Sequence, residues 1–226
     1  MLWGGVVVIS ALAWIYLVIM PMGAQSLLLD ATLMFLMWAV MMVAMMLPSA
    51  APMLSVYTRI ASAREGSRPY HVWMFAAGYF VVWTGFSLAV TALQYALQSV
   101  AIISNGMRTG PLAGGIILAI AGIYQLTPLK NVCLKRCRTP VGFFMTNWRD
   151  GARGAFKMGL DHGAFCMGCC WMLMALLFVA GVMNLAWVAA ISVLVLLEKA
   201  APFGRAIALA SGVAMIAAGL VLVIRY

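Results

Sequence analysis

Charge is what this sequence has least of. Charged residues make up 8% of its 226, and only five of them are Asp or Glu, whereas an ordinary soluble domain carries about a quarter. With 66% hydrophobic residues and a mean hydropathy of +1.07, water is excluded as the main solvent of the chain. Paired carboxylates, a Ser/His/Asp arrangement and a phosphate-binding glycine loop are also missing, so enzymatic turnover is not expected. The basic residues do not alternate with aromatics as a nucleic-acid surface requires, which excludes nucleic acid as a partner. No internal repeat and no soluble second domain is visible, so residues 1–226 read as a single transmembrane helical domain.

What the sequence does hold is long apolar runs. A spanning helix needs roughly 20 mostly apolar residues, because the hydrocarbon core is about 30 Å thick and each helical residue rises about 1.5 Å. Runs between charges and Pro or Gly breaks predict an all-α membrane protein of about seven transmembrane helices, at about 2–20, 31–57, 71–98, 112–129, 162–183, 185–201 and 205–224. Tight turns at Met183-Asn184 and Pro202-Gly204 join the last three. The first span has no basic residue ahead of it and no clear A-x-A site after it, so it reads as a retained helix and not as a cleaved signal.

The net charge of +9 reports topology. Arg59, Arg64 and Arg68 follow the second span; Lys130, Lys135, Arg136, Arg138, Arg149, Arg153 and Lys157 follow the fourth; Lys199 and Arg205 follow the sixth. These three loops share one side, and only Arg108 and Arg225 are left opposite. The positive-inside rule then places the amino terminus in the cytoplasm and the carboxyl terminus outside, for a multi-pass protein of the cell's inner (cytoplasmic) membrane. The polar segment 130–158 shows no clear helical period and is expected on the membrane surface. There Phe143, Phe144 and Trp148 suit the headgroup region and the arginines meet anionic lipid, so the bilayer itself is the first partner.

The densest unusual segment runs from Asp161 to Cys170, at the cytoplasmic start of the fifth span. His162, Cys166, Cys169 and Cys170 stand at i, i+4, i+7 and i+8, a spacing that brings an imidazole and two or three thiols to one helical stripe. Soft thiolate and thioether ligands favour Cu(I), and mixed Cys and His sets also suit Zn(II). Against a ligand role stands the packing of lone thiols as small hydrophobes. A Cys169–Cys170 disulfide is disfavoured, because neighbours on a helix point apart and the cytoplasm is reducing.

In the second span Met34, Met37, Met41 and Met45 form a stripe, with Met42 and Met46 beside it. Thioethers need no deprotonation and suit Cu(I) in apolar surroundings, although Met is also flexible core filler and the chain holds 19 of them. Pro48 and Pro52 each remove a backbone donor and are expected to kink or break this span, freeing carbonyls of the kind that line ion sites. Tyr124, Gln125, Thr127 and Pro128 at the end of the fourth span point to the same side. So does Glu198, which is read either as a site residue or as an interfacial carboxylate beside Lys199. If their stretch is helical, Cys133 and Cys137 make a two-thiol pair at i, i+4, flanked by Lys130, Lys135 and Arg136, whose charge would lower the thiol pKa. Asp161 beside His162 is expected to face elsewhere.

The run Met37-Trp38-Ala39-Val40-Met41-Met42-Val43-Ala44-Met45-Met46-Leu47-Pro48 with Pro52-Met53 resembles a bacterial family of predicted metal-binding integral membrane proteins of unknown function. So do Tyr124-Gln125-Leu126-Thr127-Pro128-Leu129-Lys130 with Cys133 and Cys137-Arg138, then His162-Gly163, Cys166, Gly168-Cys169-Cys170-Trp171, Gly181-Val182-Met183-Asn184 and Glu198-Lys199. The resemblance covers roughly 31–202. Members are commonly labelled metal-binding or copper-chaperone-like, so it implies metal handling, of copper first and zinc second.

Three functions follow as expectations. The leading one is a membrane protein that binds Cu(I) at a Cys/His/Met site and delivers it to a copper-accepting protein or moves it across the bilayer. Another is a membrane thiol oxidoreductase cycling Cys166 and Cys169 through a disulfide, a C-x-x-C chemistry to which Cys170 and the Met stripe add nothing. The third is a structural or assembly subunit of a membrane complex, with its glycines at helix contacts. The sequence leaves the oligomeric state open.

Overall fold

A computed structural model describes residues 2–19, 27–64, 68–99, 109–182 and 184–225. The described residues form helices and no strand: α1 Leu2–Ile19, α2 Leu27–Ser62, α3 His71–Ser99, α4 Pro111–Leu126, α5 Pro128–Arg138, α6 Pro140–Asn147, α7 Gly151–Ala175, α8 Leu177–Ala180, α9 Leu185–Ala200 and α10 Gly204–Arg225. Met183 and Arg108 lie outside the described residues.

Local chemistry explains the boundaries. Pro111, Pro128 and Pro140 each open a helix, where the missing N–H is an orphan in any case and the fixed φ suits the first turn. Between α4 and α5 the Thr127 hydroxyl donates to the Tyr124 carbonyl at 2.7 Å and accepts from the Lys130 amide at 3.3 Å, holding a bend of 64°. Asn184 caps α9 by accepting from the Trp187 amide. Gly151 and Gly181 take φ of +75° and +95°, a backbone region that a side chain strains, and so allow the turns into α7 and out of α8.

Four stretches are long and apolar enough to cross a bilayer: Ala31–Ser62, His71–Ser99, Gly151–Ala180 and Gly204–Arg225. The bent pair Pro111–Leu126 and Pro128–Arg138 makes a fifth if it counts as one span.

Two expectations are corrected here. Helix α2 is not broken, since Pro48 and Pro52 both stand inside one continuous helix. Hydroxyls support the carbonyls of that stretch: Ser49 donates to Met46 at 2.9 Å and Ser55 to Ala51 at 2.8 Å. The segment 130–158 is not irregular either. It is α5, α6 and the first turns of α7, with breaks only around Thr139 and at Trp148–Asp150. The helix expected to start at 162 therefore begins at Gly151, and His162 lies in its interior. Its polar first turns hid it, because only its second half carries an apolar run.

The chain divides into two compact units, Met1–Thr91 with Arg136–Met167, and Ala92–Lys135 with Gly168–Tyr226. In the first, Trp38, Met41, Met45 and Met46 of α2 are buried. A second group gathers Tyr57, Phe75, Phe143, Phe144 and Met158. Helices α3 and α7 touch through glycine: a Cβ at Gly78 would overlap the Phe156 carbonyl, and one at Gly159 the Phe75 carbonyl. In the second unit α4 and α10 meet in the same way, Gly122 facing Gly212 and Gly115 facing Gly219. Between apolar helices in lipid, such close backbone approach supplies the van der Waals contact that replaces a hydrophobic driving force.

Candidate functional site

In the first unit, α2 supplies Met41, Met42, Met45 and Met46, all buried, and α7 supplies His162 and Cys166, also buried. Tyr79 of α3 joins the two helices. Its hydroxyl lies 3.3 Å from the Met46 carbonyl, to which it donates, and 3.1 Å from Cys166 Sγ. A phenol has one proton; once that goes to the carbonyl, the Cys166 thiol is the donor to the phenolic oxygen. The His162 ring stacks on Tyr79 at 5.5 Å and on Phe75 at 6.0 Å, and meets the Phe143 edge at 6.0 Å. The imidazole thus sits among aromatic rings. Asp161 turns away from it to Arg149, at 3.6 Å. Pro48 is half-buried and Pro52 exposed, both on α2. Cys137 is half-buried on the last turn of α5, close to Arg136, whose guanidinium covers the Phe165 ring at 4.9 Å.

The second unit holds Cys133, Cys169 and Cys170. Cys169 and Cys170 are buried on α7 and Cys133 is half-buried on α5. The segment of Cys133 and Cys137 is helical, so their i, i+4 spacing does put them on one face of α5. Gly168 lets the elements close up: a Cβ there would come within 3.0 Å of Cys133 Sγ. Tyr124 donates a short hydrogen bond to the Gly168 carbonyl and packs its ring edge-on to Trp171 at 5.4 Å. The sulfurs of Cys133, Cys169 and Cys170 all lie close enough to Tyr124 to interact with it electrostatically.

Helix α5, with Lys130, Lys135, Arg136 and Arg138 among its eleven residues, is read as lying outside the spanning segments. Burial pushes the Cys133 thiol up, and the nearby Cys169 sulfur adds to the rise. That reverses the lowering expected from the flanking cations, because loss of water outweighs them and one flanking lysine, Lys130, is engaged elsewhere.

That lysine is the residue the sequence concealed. Lys130 is 1% exposed, and its Nζ donates to Glu198 Oε2 at 2.6 Å; Glu198 is 2% exposed. Gln125 Nε2 donates to Glu198 Oε1 at 2.8 Å, and Ser211 Oγ stands 3.5 Å from the same oxygen. Glu198 is therefore an internal ion-pair partner, not an interfacial carboxylate beside Lys199. The signal that could have found Lys130 is its place three residues after Thr127, on the inward face of a helix set by the Pro128 bend. Tyr79 was missed because nothing in its apolar surroundings marks it.

No disulfide joins any of the five cysteines. Among the described residues no three His, Cys, Asp or Glu side chains already form a metal cage. The donors instead come as small sets: Cys166 and His162 one turn apart on α7 in the first unit, and Cys133 facing the Gly168–Cys169 stretch in the second.

Residues 35–222 match the model of a family described as PpoB2, copper chaperone. Comparison with curated proteins and with solved structures yields no match.

Proposed function

The chain belongs to the PpoB2 copper-chaperone family, and from that premise we propose that it is an integral membrane protein that binds Cu(I) and hands it on. The observation that carries the reading is the close approach of Cys133 to α7 at Gly168, the residue before Cys169, in the second unit. Two thiolates are a sufficient ligand set for Cu(I), a soft ion content with low coordination, and Cys133 with Cys169 supplies them. Zn(II) asks for four donors, which this set lacks among the described residues. In the first unit Cys166 and His162, one turn apart on α7, and the buried Met41 and Met45 of α2 are further donors of a type that suits Cu(I). The protein acts as a carrier and not as an enzyme, and its partners are the bilayer and a copper-accepting protein.

Insertion into the inner membrane with about seven spans, the amino terminus inside and the carboxyl terminus outside, belongs to the same proposal. Its support is the set of long apolar stretches and the loop bias of the basic residues.

The test is a competition titration. Purified protein in detergent is offered Cu(I) against a chelator, and wild type is expected to retain it at least tenfold better than Cys133→Ser combined with Cys169→Ser. Equal retention by the two proteins ends the assignment.

A further inference from the structure

The second unit holds a cavity that copper binding does not use. It measures about 170 Å³, lies at the 64° bend between α4 and α5, and takes its polar wall from Gln125, Lys130, Asn131 and, on α10, Arg205. Leu126 and Leu209, both exposed, belong to its apolar wall. Gln125 is 4% exposed, and its amide has only one possible orientation: Nε2 donates to Glu198 Oε1 at 2.8 Å and to Ser211 Oγ at 3.0 Å. A carboxylate only accepts, so the amide cannot be turned round. Its Oε1 is left buried with no hydrogen-bond donor among the described residues. Such an acceptor costs free energy until a donor reaches it, and the cavity that Gln125 lines is where a donor has room. All these groups belong to one unit.

Charge decides what kind of donor fits. Lys130 and Glu198 neutralise each other at 2.6 Å, so the net charge at the cavity is that of Arg205, which is exposed and forms no ion pair among the described residues. Water would satisfy Gln125 but brings no charge to Arg205. An ammonium would donate to Gln125 but be repelled by Arg205 and Lys130. A hydroxyl carried beside a phosphate meets both demands, because phosphate oxygens accept from the guanidinium and from the protons that Lys130 does not give to Glu198, while the hydroxyl donates to Gln125 Oε1. The position names the source. Helix α5 is read as lying outside the spanning segments and α4 as crossing, so the bend between them stands at headgroup depth, with Leu126 and Leu209 continuing the wall towards the acyl chains. The loop bias places Lys130 and Arg205 on the cytoplasmic side, whose leaflet carries anionic lipid and where basic pockets between helices take lipid headgroups. We propose that this cavity binds the headgroup of an anionic phospholipid with a free polyol, of the phosphatidylglycerol type, its phosphate on Arg205 and a glycerol hydroxyl on Gln125.

This inference rests on the membrane insertion proposed above and not on the copper site. Full-length protein is extracted in detergent, stripped of native lipid and offered lipids of identical acyl chains, with the bound species counted by native mass spectrometry. The probes are phosphatidylglycerol, phosphatidylethanolamine and phosphatidylmethanol, the last being anionic but without a free hydroxyl. Wild type is expected to hold phosphatidylglycerol about fivefold better than phosphatidylethanolamine, the worth of one arginine at a membrane surface. It should also hold it about fivefold better than phosphatidylmethanol, the worth of one hydrogen bond. Arg205→Ala, at an exposed position, is expected to lose the first preference while unfolding at the wild-type temperature without lipid. Equal retention of all three lipids by wild type leaves the cavity to water and overturns the proposal, and a first preference that survives Arg205→Ala overturns it as well. Equal retention of phosphatidylglycerol and phosphatidylmethanol overturns the contact with Gln125. Displacement of phosphatidylglycerol by an equal concentration of glycerol phosphate overturns the lipid as source and gives the site to a soluble phosphate ester. Recovery of the protein from the aqueous fraction without detergent overturns the insertion itself, an outcome distinct from an inserted protein that shows no lipid preference.

Discussion

The two units protect their cysteines by different means. In the first, Cys166 is buried and hydrogen-bonds with the Tyr79 hydroxyl, which also reaches the Met46 carbonyl, and His162 one turn away on α7 is stacked on aromatic rings. In the second, the thiols share their unit with a fully buried ion pair. A neutral hydrogen-bond relay loses little when one member is removed. A buried ion pair carries the risk that losing either partner leaves the other charge stranded. The contrast teaches that two buried cysteines of one helix, Cys166 and Cys169, can belong to units whose cores hold different polar groups.

The sharpest way to break the comparison is at the ion pair. Lys130→Met leaves Glu198 buried and unmatched and is expected to cost about 3–5 kcal/mol in denaturant unfolding in micelles, with most of it recovered when Glu198→Leu is added. The exposed pair Arg64–Asp150, at 3.8 Å, should lose no more than about 1 kcal/mol on Arg64→Ala. If both substitutions cost the same, the second unit does not depend on its internal charges.

Next in size is the backbone contact common to both units. Gly159→Ala in the first and Gly122→Ala in the second press a methyl against a facing backbone and should each cost about 1–3 kcal/mol by the same assay. Gly85→Ala meets nothing within 4 Å and should be neutral or gain up to about 1 kcal/mol.

The pH dependence of copper retention follows in magnitude. Cu(I) takes the thiolate, and Cys133 is held protonated above the ordinary thiol range, so protons compete with the metal. Retention should therefore weaken as pH falls and strengthen as pH rises towards the raised value, by about tenfold per pH unit for each net proton displaced. A flat profile would oppose thiolate ligation. For the fold the sign is opposite: a thiol raised in the native state favours folding below its unfolded pKa and loses that contribution as pH climbs past it. The smallest expected effect is at the neutral relay, where Tyr79→Phe removes hydrogen bonds worth about 1 kcal/mol.

Much of the fold was legible. Helices near 2–20, 31–57, 71–98, 112–129, 185–201 and 205–224 are found within a few residues, because apolar length is a property each segment carries by itself. The stretch from 130 to 161 was not legible: α5 and the start of α7 are polar helices with many lysines and arginines, and no apolar stripe of spanning length announces them. Pro48 and Pro52 do not break α2, which runs on through both as one helix. At the site, the sequence pointed to the cysteines and to Gln125 and Glu198. It could not reveal that Lys130 turns inward to Glu198, or that Gly168 admits Cys133 to the surface of α7.

By itself the sequence determined that this is an apolar, all-helical chain with thiol and thioether donors and little acid, because composition and run length act locally and need no partner. Only the tertiary structure decided which donors belong to which unit, that Lys130 is an internal charge and not a loop cation, and that burial outweighs nearby lysines at Cys133. Desolvation and ion pairing depend on what other helices bring to the same place, and that is a property of the packed molecule alone.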